Sequence, residues 1–449
     1  MTLPVSYFTR TFGKYIKPAA QHMYHAERER FVGGNVRPHV ARLSFSGKII
    51  RLIYIFLSAR PIIIDGSTAG VGATPTPALS KGAAVKNMRK GCGGKKVCVR
   101  GGALAAFVRI LCLCFVFFIL GSCASESRRV RIISWNVQTF FDAHTCGTEY
   151  KEFRASGGAW NREKYERRLE NLCGFIKEHP ADIYVFEEVE NEEVLQDIAN
   201  LCTGFSVFSR SQLQTVFAAD RGGSLGIAVL SRLPIREAAV HQIGISALVD
   251  TQGALQRVIQ PQLRPLLELH AEKDGCPFVL FACHWKSKSG GAHKSELWRD
   301  LQECLLARRI REVASAYPFT PLIVCGDFNR ALEEFGIEEN VAKGKTVRFA
   351  YDLQPKKTGA QEEYTELLSA WFIGGGLGSY YFRETWEKID HFFYNEFVFA
   401  PAFSALDSGP HTQPGGIPFR YDLYKGTGYS DHLPLSFEFF TEKPKNAGR

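Results

Sequence analysis

Between Arg131 and Phe439, short apolar runs alternate with longer helical segments, and this pattern constrains the fold more than any other feature of the sequence. Asn161–His179 predicts a helix with its apolar residues along one face, and Ser295–Ala316 predicts a second helix with apolar residues spread more widely. Seven apolar runs bounded by breaking residues predict strands, at Arg131–Val137, Ile183–Phe186, Gly226–Leu230, Phe278–Cys283, Leu322–Cys325, Ile389–Tyr394 and Leu433–Phe439. This pattern is typical of the α+β class.

Polar side chains recur where these predicted strands end. An Asp or Asn after a strand usually caps a turn, so each position by itself carries little information. Six such positions in one domain, combining carboxylates, amides and imidazoles, indicate one shared site, because strand ends at a sheet edge gather reactive groups. The residues concerned are Asn136, Glu188, His284, Asp327 with Asn329, Asp390, and Asp431 with His432.

The motifs WNV, EEVEN, HWKSK, GDFN, IDHFF and SDHLP follow one another in this order. Together they resemble the endonuclease/exonuclease/phosphatase superfamily, over essentially all of Arg131–Phe439 and none of the first hundred residues. The resemblance implies a deoxyribonuclease I-like four-layer α/β/β/α sandwich, with two mixed sheets face to face and helices outside. It also implies a phosphodiester hydrolase that depends on Mg²⁺, with Mn²⁺ or Ca²⁺ as alternatives.

Carried over residue by residue, the resemblance assigns a metal centre and a water-activating group. Glu188 resembles the principal metal ligand, Asn136 a ligand or a close neighbour of the metal, and Asp431 a further carboxylate beside it. Asp327 resembles the residue that orients and deprotonates the attacking water. Asn329 would hydrogen-bond the same phosphate region. Carboxylate and amide oxygens suit a hard cation, which offsets the charge that develops during phosphodiester hydrolysis.

The resemblance assigns the phosphate contacts to two histidines and an arginine. His284 and His432 resemble the histidines that contact the scissile phosphate, and Asp390 resembles the partner that orients His432. An aspartate beside a histidine fixes its tautomer and favours the imidazolium form. Arg264 lies where the family often places a phosphate-contacting arginine. Glu187 replaces the usual Gln before the metal-binding Glu, and strand alternation predicts that it points to the opposite face.

The substrate stays open at this stage. The formal net charge of the chain is +9. The first hundred residues hold 17 Lys and Arg against three acids and therefore carry +14, so the rest of the chain carries −5. Two interpretations of Lys286 and Lys288 are open: they contact a nucleic-acid backbone, or they belong to a solvated loop. DNA is the first substrate expected, before RNA. The alternatives are a sphingomyelinase-like phospholipid phosphodiesterase and a surface-binding lipoprotein without turnover.

A basic stretch after Met88, the apolar run Ile110–Leu120 and the small residues before Cys123 form a secretory signal pattern. Leu120–Cys123 resembles a lipobox, in which Cys123 would be lipidated and become the mature N-terminus. The alternative is a membrane anchor, although a span needs about 18 or more apolar residues. We therefore expect an exported protein anchored at the periplasmic face or the cell surface.

The resulting organisation has five parts. Residues 1–87 form a basic extension that is unstructured or precedes the true start at Met88, 88–123 the signal, 124–130 a linker, 131–440 the enzyme domain and 441–449 a polar tail. Within the domain, the apolar surroundings of Cys173, Cys283 and Cys325 predict buried free thiols. If the domain is exported, a disulfide that involves Cys146, Cys202 or Cys276 remains an option.

Overall fold

The structure is a computed structural model that describes residues 128–154, 159–204, 213–244, 259–340, 344–351 and 364–443, with short strands at 29–30, 248–249 and 255–256. The chain divides into two compact units, Met1–Phe31 with Val116–Arg449, and Val32–Phe115. The second unit, the apolar run Ile110–Leu120 and Cys123 lie outside the described residues. Within the described residues no helix has the length and apolar character needed to cross a membrane.

The described elements are three helices, three 3-10 turns and nineteen strands. The helices are α1 Arg162–Glu178, α2 Glu192–Gly204 and α3 Ala292–Ala316, and the turns are Lys151–Phe153, Leu332–Glu334 and Ala370–Phe372. The strands are β1 Glu29–Arg30, β2 Arg129–Phe140, β3 Ile183–Val189, β4 Gln214–Ala218, β5 Gly226–Ser231, β6 Ile235–His241, β7 Leu248–Val249, β8 Leu255–Gln256, β9 Leu266–Lys273, β10 Cys276–His284, β11 Leu322–Asp327, β12 Gly336–Asn340, β13 Gly344–Ala350, β14 Tyr364–Ser369, β15 Tyr380–Phe382, β16 Thr385–Glu387, β17 Asp390–Tyr394, β18 Phe399–Ala405 and β19 Leu435–Phe440.

Two large mixed sheets contain most of these strands. The first has six strands in the order β18-β19-β2-β3-β5-β4, and the second has nine in the order β1-β6-β9-β10-β11-β17-β14-β13-β12. Each sheet has one parallel pair among its described strands, β2 with β3 and β10 with β11, and its other pairs are antiparallel. The hairpins β15–β16 and β7–β8 stand apart from both sheets.

The two sheets pack face to face with helices outside, which confirms the predicted four-layer sandwich. Ile132 of β2 and Phe281 of β10 are fully buried in one apolar cluster shared by both sheets. The next residue, Ile133, points the other way, into a second cluster with Leu172 of α1 and Ile198 of α2. Residues 132–137 of β2 are buried on both faces, so apolar residues occupy neighbouring positions there and do not simply alternate with exposed polar ones. Helix α3 packs against the nine-stranded sheet.

The predicted helices are confirmed, with small changes at their ends. Asn161 caps α1, because its side chain accepts a hydrogen bond from the backbone N of Lys164 at 3.0 Å. Helix α3 begins at Ala292, three residues before the predicted start. The last predicted strand begins two residues late, at Leu435, because Pro434 has no N–H for the sheet.

Several strands escaped prediction, among them β6, β9, β13, β14 and β18. Their sequences mix apolar and polar residues, so no continuous apolar run marks them; β9, for example, pairs with the distant β6 and forms a hairpin with β10. The seven cysteines of the described region are free thiols, and Cys173, Cys283 and Cys325 are buried as predicted.

Candidate active site

The two parallel strand pairs carry the candidate site to one edge of the sandwich. Asn136, four residues before the end of β2, lies opposite Glu187 of β3, where the pairing shifts register. In the other sheet Asp327 at the end of β11 lies between His284 of β10 and Asp390 of β17. Because the carboxyl ends of parallel strands meet at one sheet edge, these side chains converge although they are far apart in sequence.

A bulge in β3 separates the two adjacent glutamates. Glu187 is fully buried, and its Oε1 accepts a hydrogen bond from Oγ of Ser134 at 2.8 Å. Glu188 has a φ of 65°, and the pairing of β3 with both neighbouring strands shifts register there. A non-glycine residue in this region of φ is uncommon and must be held by its surroundings. Glu187 therefore stays in the interior while Glu188 faces the cleft, in agreement with the prediction from strand alternation.

The side chain of Asn136 links two carboxylates at the centre of the site. Its Nδ2 donates to Oδ2 of Asp327 at 3.0 Å and to Oε1 of Glu188 at 3.4 Å. Backbone amides hold the other oxygens: the N of Thr139 donates to Oε2 of Glu188 at 2.7 Å, and the N of Asn329 donates to Oδ1 of Asp327 at 2.8 Å. Both carboxylates are thus fixed in orientation before any substrate binds.

The environment of Asp327 shifts its acidity toward neutral pH. The side chain is almost fully buried, and burial together with the negative charge of Asp390 raises its pKa to about 7. A carboxyl group with a pKa near the working pH is suited to accept a proton from water.

His432 and Asp390 form a buried pair beside these carboxylates. Nδ1 of His432 lies 2.8 Å from Oδ2 of Asp390, and Oγ of Ser379 donates to the same oxygen at 2.6 Å. Burial alone would lower the pKa of His432, but the charge and hydrogen bond of Asp390 raise it well above its usual value. The ring is therefore held as an imidazolium, and Nε2 remains the nitrogen available to a substrate.

His284 has the opposite electrostatic environment. Burial and the positive charge of Arg264 lower its pKa well below the usual value, so its ring is neutral. Its Nε2 lies 3.8 Å from Oδ2 of Asp327 and 3.9 Å from Oε1 of Glu188, beyond hydrogen-bond distance. Its Nδ1 is buried without a hydrogen-bond partner among the residues that the structure describes.

One large cleft of about 1300 Å³ lies beside these side chains, although Asn136, His284 and Asp390 are not among its lining residues. The predicted site residues that line it are Glu188, Asp327, Asn329, Asp431, His432 and Lys288. The Nζ of Lys288 is paired with Oε2 of Glu334 at 2.7 Å. The Nε2 of His432 lies 3.9 Å from Oδ1 of Asp431, which places that carboxylate at the same end of the cleft.

Arg264 and Lys286 do not line this cleft in the described structure. Arg264 borders a separate small cavity of about 10 Å³ that His284 also lines. Its side chain forms a hydrogen bond with Tyr150, which does line the cleft. Lys286 is partly buried, and its burial and the charge of Arg264 lower its pKa. The side chain of Tyr150 therefore separates Arg264 from the cleft.

Sequence reasoning missed Arg168, a fully buried cation behind the metal-binding side of the cleft. Its guanidinium stacks between the rings of Phe140 at 4.4 Å and Tyr421 at 4.1 Å, and burial lowers its pKa to about 10, so it stays charged. It donates to the carbonyl oxygens of Val137 at 2.6 Å, Gln138 at 2.8 Å and Thr139 at 2.9 Å.

Arg168 therefore fixes the turn whose amide holds Glu188, a turn in which Gln138 and Thr139 have φ of 53° and 46°. The sequence carried one signal for this role. Arg168 lies three residues after Tyr165 and four before Leu172, on the apolar face of α1.

The donor set fits a hard divalent cation. Carboxylate and amide oxygens with backbone support are the ligands that Mg²⁺ prefers. Candidate ligand atoms of Asp327, Asp390 and His432 also lie within 4.8 Å of one another. Two members of this trio, Asp390 and His432, already engage each other. Glu188, Asn136 and Asp431 stay the predicted ligand set: Asn136 contacts Glu188 at 3.4 Å, and Asp431 lies beside His432.

The family model described as "Endonuclease/Exonuclease/phosphatase family" matches residues 133–432. The chain belongs to this family, whose members are hydrolases of phosphate esters that use divalent metals. No curated protein matches the chain.

The solved structures that match the chain are distant in sequence. TDP2 from C. elegans is 15% identical with a TM-score of 0.44, and the match covers 70% of this chain and 75% of that one. A functionally unknown conserved protein from Enterococcus faecalis V583 is 16% identical with a TM-score of 0.42, over 70% and 100% of the two chains. A family protein from Bacteroides thetaiotaomicron is 17% identical with a TM-score of 0.40, over 70% and 98%.

Proposed function

We propose that this chain is a magnesium-dependent phosphodiesterase that cleaves nucleic acid, DNA in the first place. One observation carries the proposal: Glu188, Asp327 and His432, from three separate parts of the sequence, line a single cleft. A degenerate binding protein would be under no constraint to keep carboxylates, amides and a charged imidazole oriented around one space.

In this mechanism the chain's own groups position the reactants and move the proton. Glu188, Asn136 and Asp431 would hold the cation, which when bound offsets negative charge on the phosphate oxygens. Asp327 orients the attacking water and accepts its proton. His432, kept charged by Asp390, donates from Nε2 to the phosphate, which stabilises charge that develops in the transition state.

A row of aromatic rings beside the histidine favours nucleic acid as the substrate. The ring of Tyr380 lies 4.8 Å from that of His432, and Phe382 continues the row, stacked 6.1 Å from Tyr380 at an interplanar angle of 19°. Phe382 is 43% exposed and lies under the guanidinium of Arg383. Bases stack on such surfaces regardless of sequence. We therefore expect unpaired nucleotides beside the scissile phosphate to bind here.

Other residues that line the cleft supply further groups of the same kind. Tyr424 is 80% exposed, and Arg420 and Lys425 line the cleft with it. Cations beside exposed rings match a strand that presents both phosphates and bases.

The decisive experiment compares substrates on the purified full-length chain in detergent. With Mg²⁺ we expect cleavage of single-stranded and nicked DNA, weaker cleavage of RNA and none of sphingomyelin, and EDTA should abolish the activity. Phe382→Ala should raise KM for single-stranded DNA, while the matched exposed aromatic variant Tyr317→Ala, outside the cleft, should leave KM unchanged. Turnover of sphingomyelin but not of nucleic acid would support the phospholipid alternative, and no turnover of either would leave a binding lipoprotein.

We also propose that the enzyme is exported and tethered by a lipid on Cys123. The support is the order of basic, apolar and small residues before that cysteine. Mass spectrometry of the mature N-terminus tests this: a diacylated Cys123 is expected, and Cys123→Ser should release the chain from membranes. Peptides from upstream of Met88 in the mature protein would contradict it.

A further inference from the structure

Two buried thiols on neighbouring helices lie unusually close together. The Sγ of Cys173 on α1 is 2.8 Å from the Sγ of Cys202 on α2, although the residues are 29 positions apart. This separation is less than an ångström longer than a disulfide bond of about 2.05 Å. No other pair of cysteines in the described parts of the chain is in such contact.

We propose that Cys173 and Cys202 are a disulfide-forming pair that joins α1 to α2 covalently. Both side chains lie in the apolar cluster between these helices and the six-stranded sheet. A buried S–H group finds few hydrogen-bond partners among apolar side chains. A disulfide has no S–H donor, so it leaves no unsatisfied donor in the cluster. The bond would close a loop that contains β3 and therefore Glu188.

The reaction requires an external disulfide oxidant. The thiolate of Cys173 attacks one sulfur of the oxidant, forms a mixed disulfide and releases the first oxidant thiol. The thiolate of Cys202 then attacks Sγ of Cys173 and releases the second, so two protons and two electrons leave the pair. Because both thiols are buried, the exchange takes place while the chain folds.

The position of the bond connects it to the catalytic edge. Helix α1 carries Arg168, which holds the turn at Gln138 and Thr139. Helix α2 begins at Glu192, three residues after the end of β3. A bond between these helices therefore restrains both supports of Glu188.

Peptide mapping tests the inference without any activity assay. The full chain is refolded with oxidised glutathione, blocked with N-ethylmaleimide in denaturant and digested with trypsin. We expect peptide 169–177 linked to peptide 178–210, and separation of the two after reduction. The buried thiol of Cys283 serves as control and should be alkylated in every sample.

Two further measurements strengthen the test. Reduction of the oxidised protein should lower its apparent melting temperature by roughly 5 °C, as expected for a loop of this size in a domain of this length. In Cys173→Ala, Cys202 should become alkylated and reduction should no longer change the melting temperature. Alkylation of both Cys173 and Cys202 in the oxidised wild type, or a link from either of them to another cysteine, would overturn the proposal.

Discussion

Asp390 and His432 contact each other across the two sheets of the sandwich, with 2.8 Å between Oδ2 and Nδ1. Asp390 begins β17 of the nine-stranded sheet, and His432 lies three residues before β19 of the six-stranded sheet. A change in the packing of the two sheets would separate this pair. The charge state of the imidazole therefore depends on the assembled fold.

Replacement of Asp390 by Asn should change the pH dependence of the reaction. Asn keeps the shape but removes the charge that favours the imidazolium, so the pKa of His432 should fall. The activity lost through deprotonation should then begin at a lower pH, and kcat near neutral pH should fall by about 10²-fold. NMR titration of the imidazole checks the pKa directly. An unchanged alkaline limb would refute the assignment.

Asp327→Asn and His432→Ala should each reduce kcat by at least about 10²-fold while the protein stays folded. The first change removes the proton acceptor and the second removes the donor to the phosphate. Steady-state kinetics with circular dichroism separates lost chemistry from lost structure. The exposed variant Asp407→Asn serves as control and should retain full activity.

Replacement of Arg168 by Met should destabilise the fold and impair the metal site together. Four carbonyl oxygens, those of Val137, Gln138, Thr139 and Tyr429, would lose a charged donor, so the free energy of unfolding should fall by about 3 kcal/mol. The neighbouring variant Arg167→Met is the matched control. Arg167 is paired only with exposed Glu163 in the described structure, and its loss should change stability by under about 0.5 kcal/mol. Denaturant unfolding and the Mg²⁺ concentration for half-maximal activity measure the two effects, and equal stability of both variants would contradict the role of Arg168.

Gly326→Ala should be poorly tolerated, because β11 passes close to β10 at this position. Gly326 has a φ of 130°, and an added Cβ would lie 1.9 Å from the carbonyl oxygen of Cys283. We expect a loss of about 3 kcal/mol in unfolding free energy and a displaced Asp327. Gly174→Ala in α1, with no atom within 4 Å of the new Cβ, should instead stabilise the protein by about 0.5–1 kcal/mol. Thermal unfolding compares the two variants.

A buried cluster under α3 should govern stability in acid. Burial would raise the pKa of Glu268, but its hydrogen bonds with His241 and His270 and the charge of Arg309 lower it below the usual value. A carboxyl group with a depressed folded-state pKa contributes stability that is fully present above its unfolded pKa of about 4.3 and is lost as pH falls through the folded pKa.

Glu268→Gln should therefore lower the free energy of unfolding by about 3 kcal/mol near pH 7. The difference in unfolding free energy between this variant and the wild type should become smaller below about pH 4. Glu272→Gln, which removes a more exposed pair with Arg236, should cost under about 1 kcal/mol at either pH. Urea unfolding at several pH values provides the measurement. A gap of constant size down to the most acidic pH would contradict this assignment.

The motifs at the predicted strand ends were sufficient to predict the family and the four-layer sandwich. Both predictions rest on local sequence: a strand buried on two faces is mostly apolar, and polar residues near its end indicate that it borders a cleft. Strands β6 and β18 escaped prediction because each pairs with a strand some tens of residues further along the chain, and that pairing, more than their own residues, stabilises them as strands.

The sequence by itself determined which residue types meet at the site, because the motifs consist of these residues in a fixed order along the chain. Only the tertiary structure decided their geometry. The bulge at Glu188, the place of Arg264 behind Tyr150 and the buried support from Arg168 depend on how distant segments pack. These features arise from contacts between residues tens to hundreds of positions apart, which no local pattern encodes.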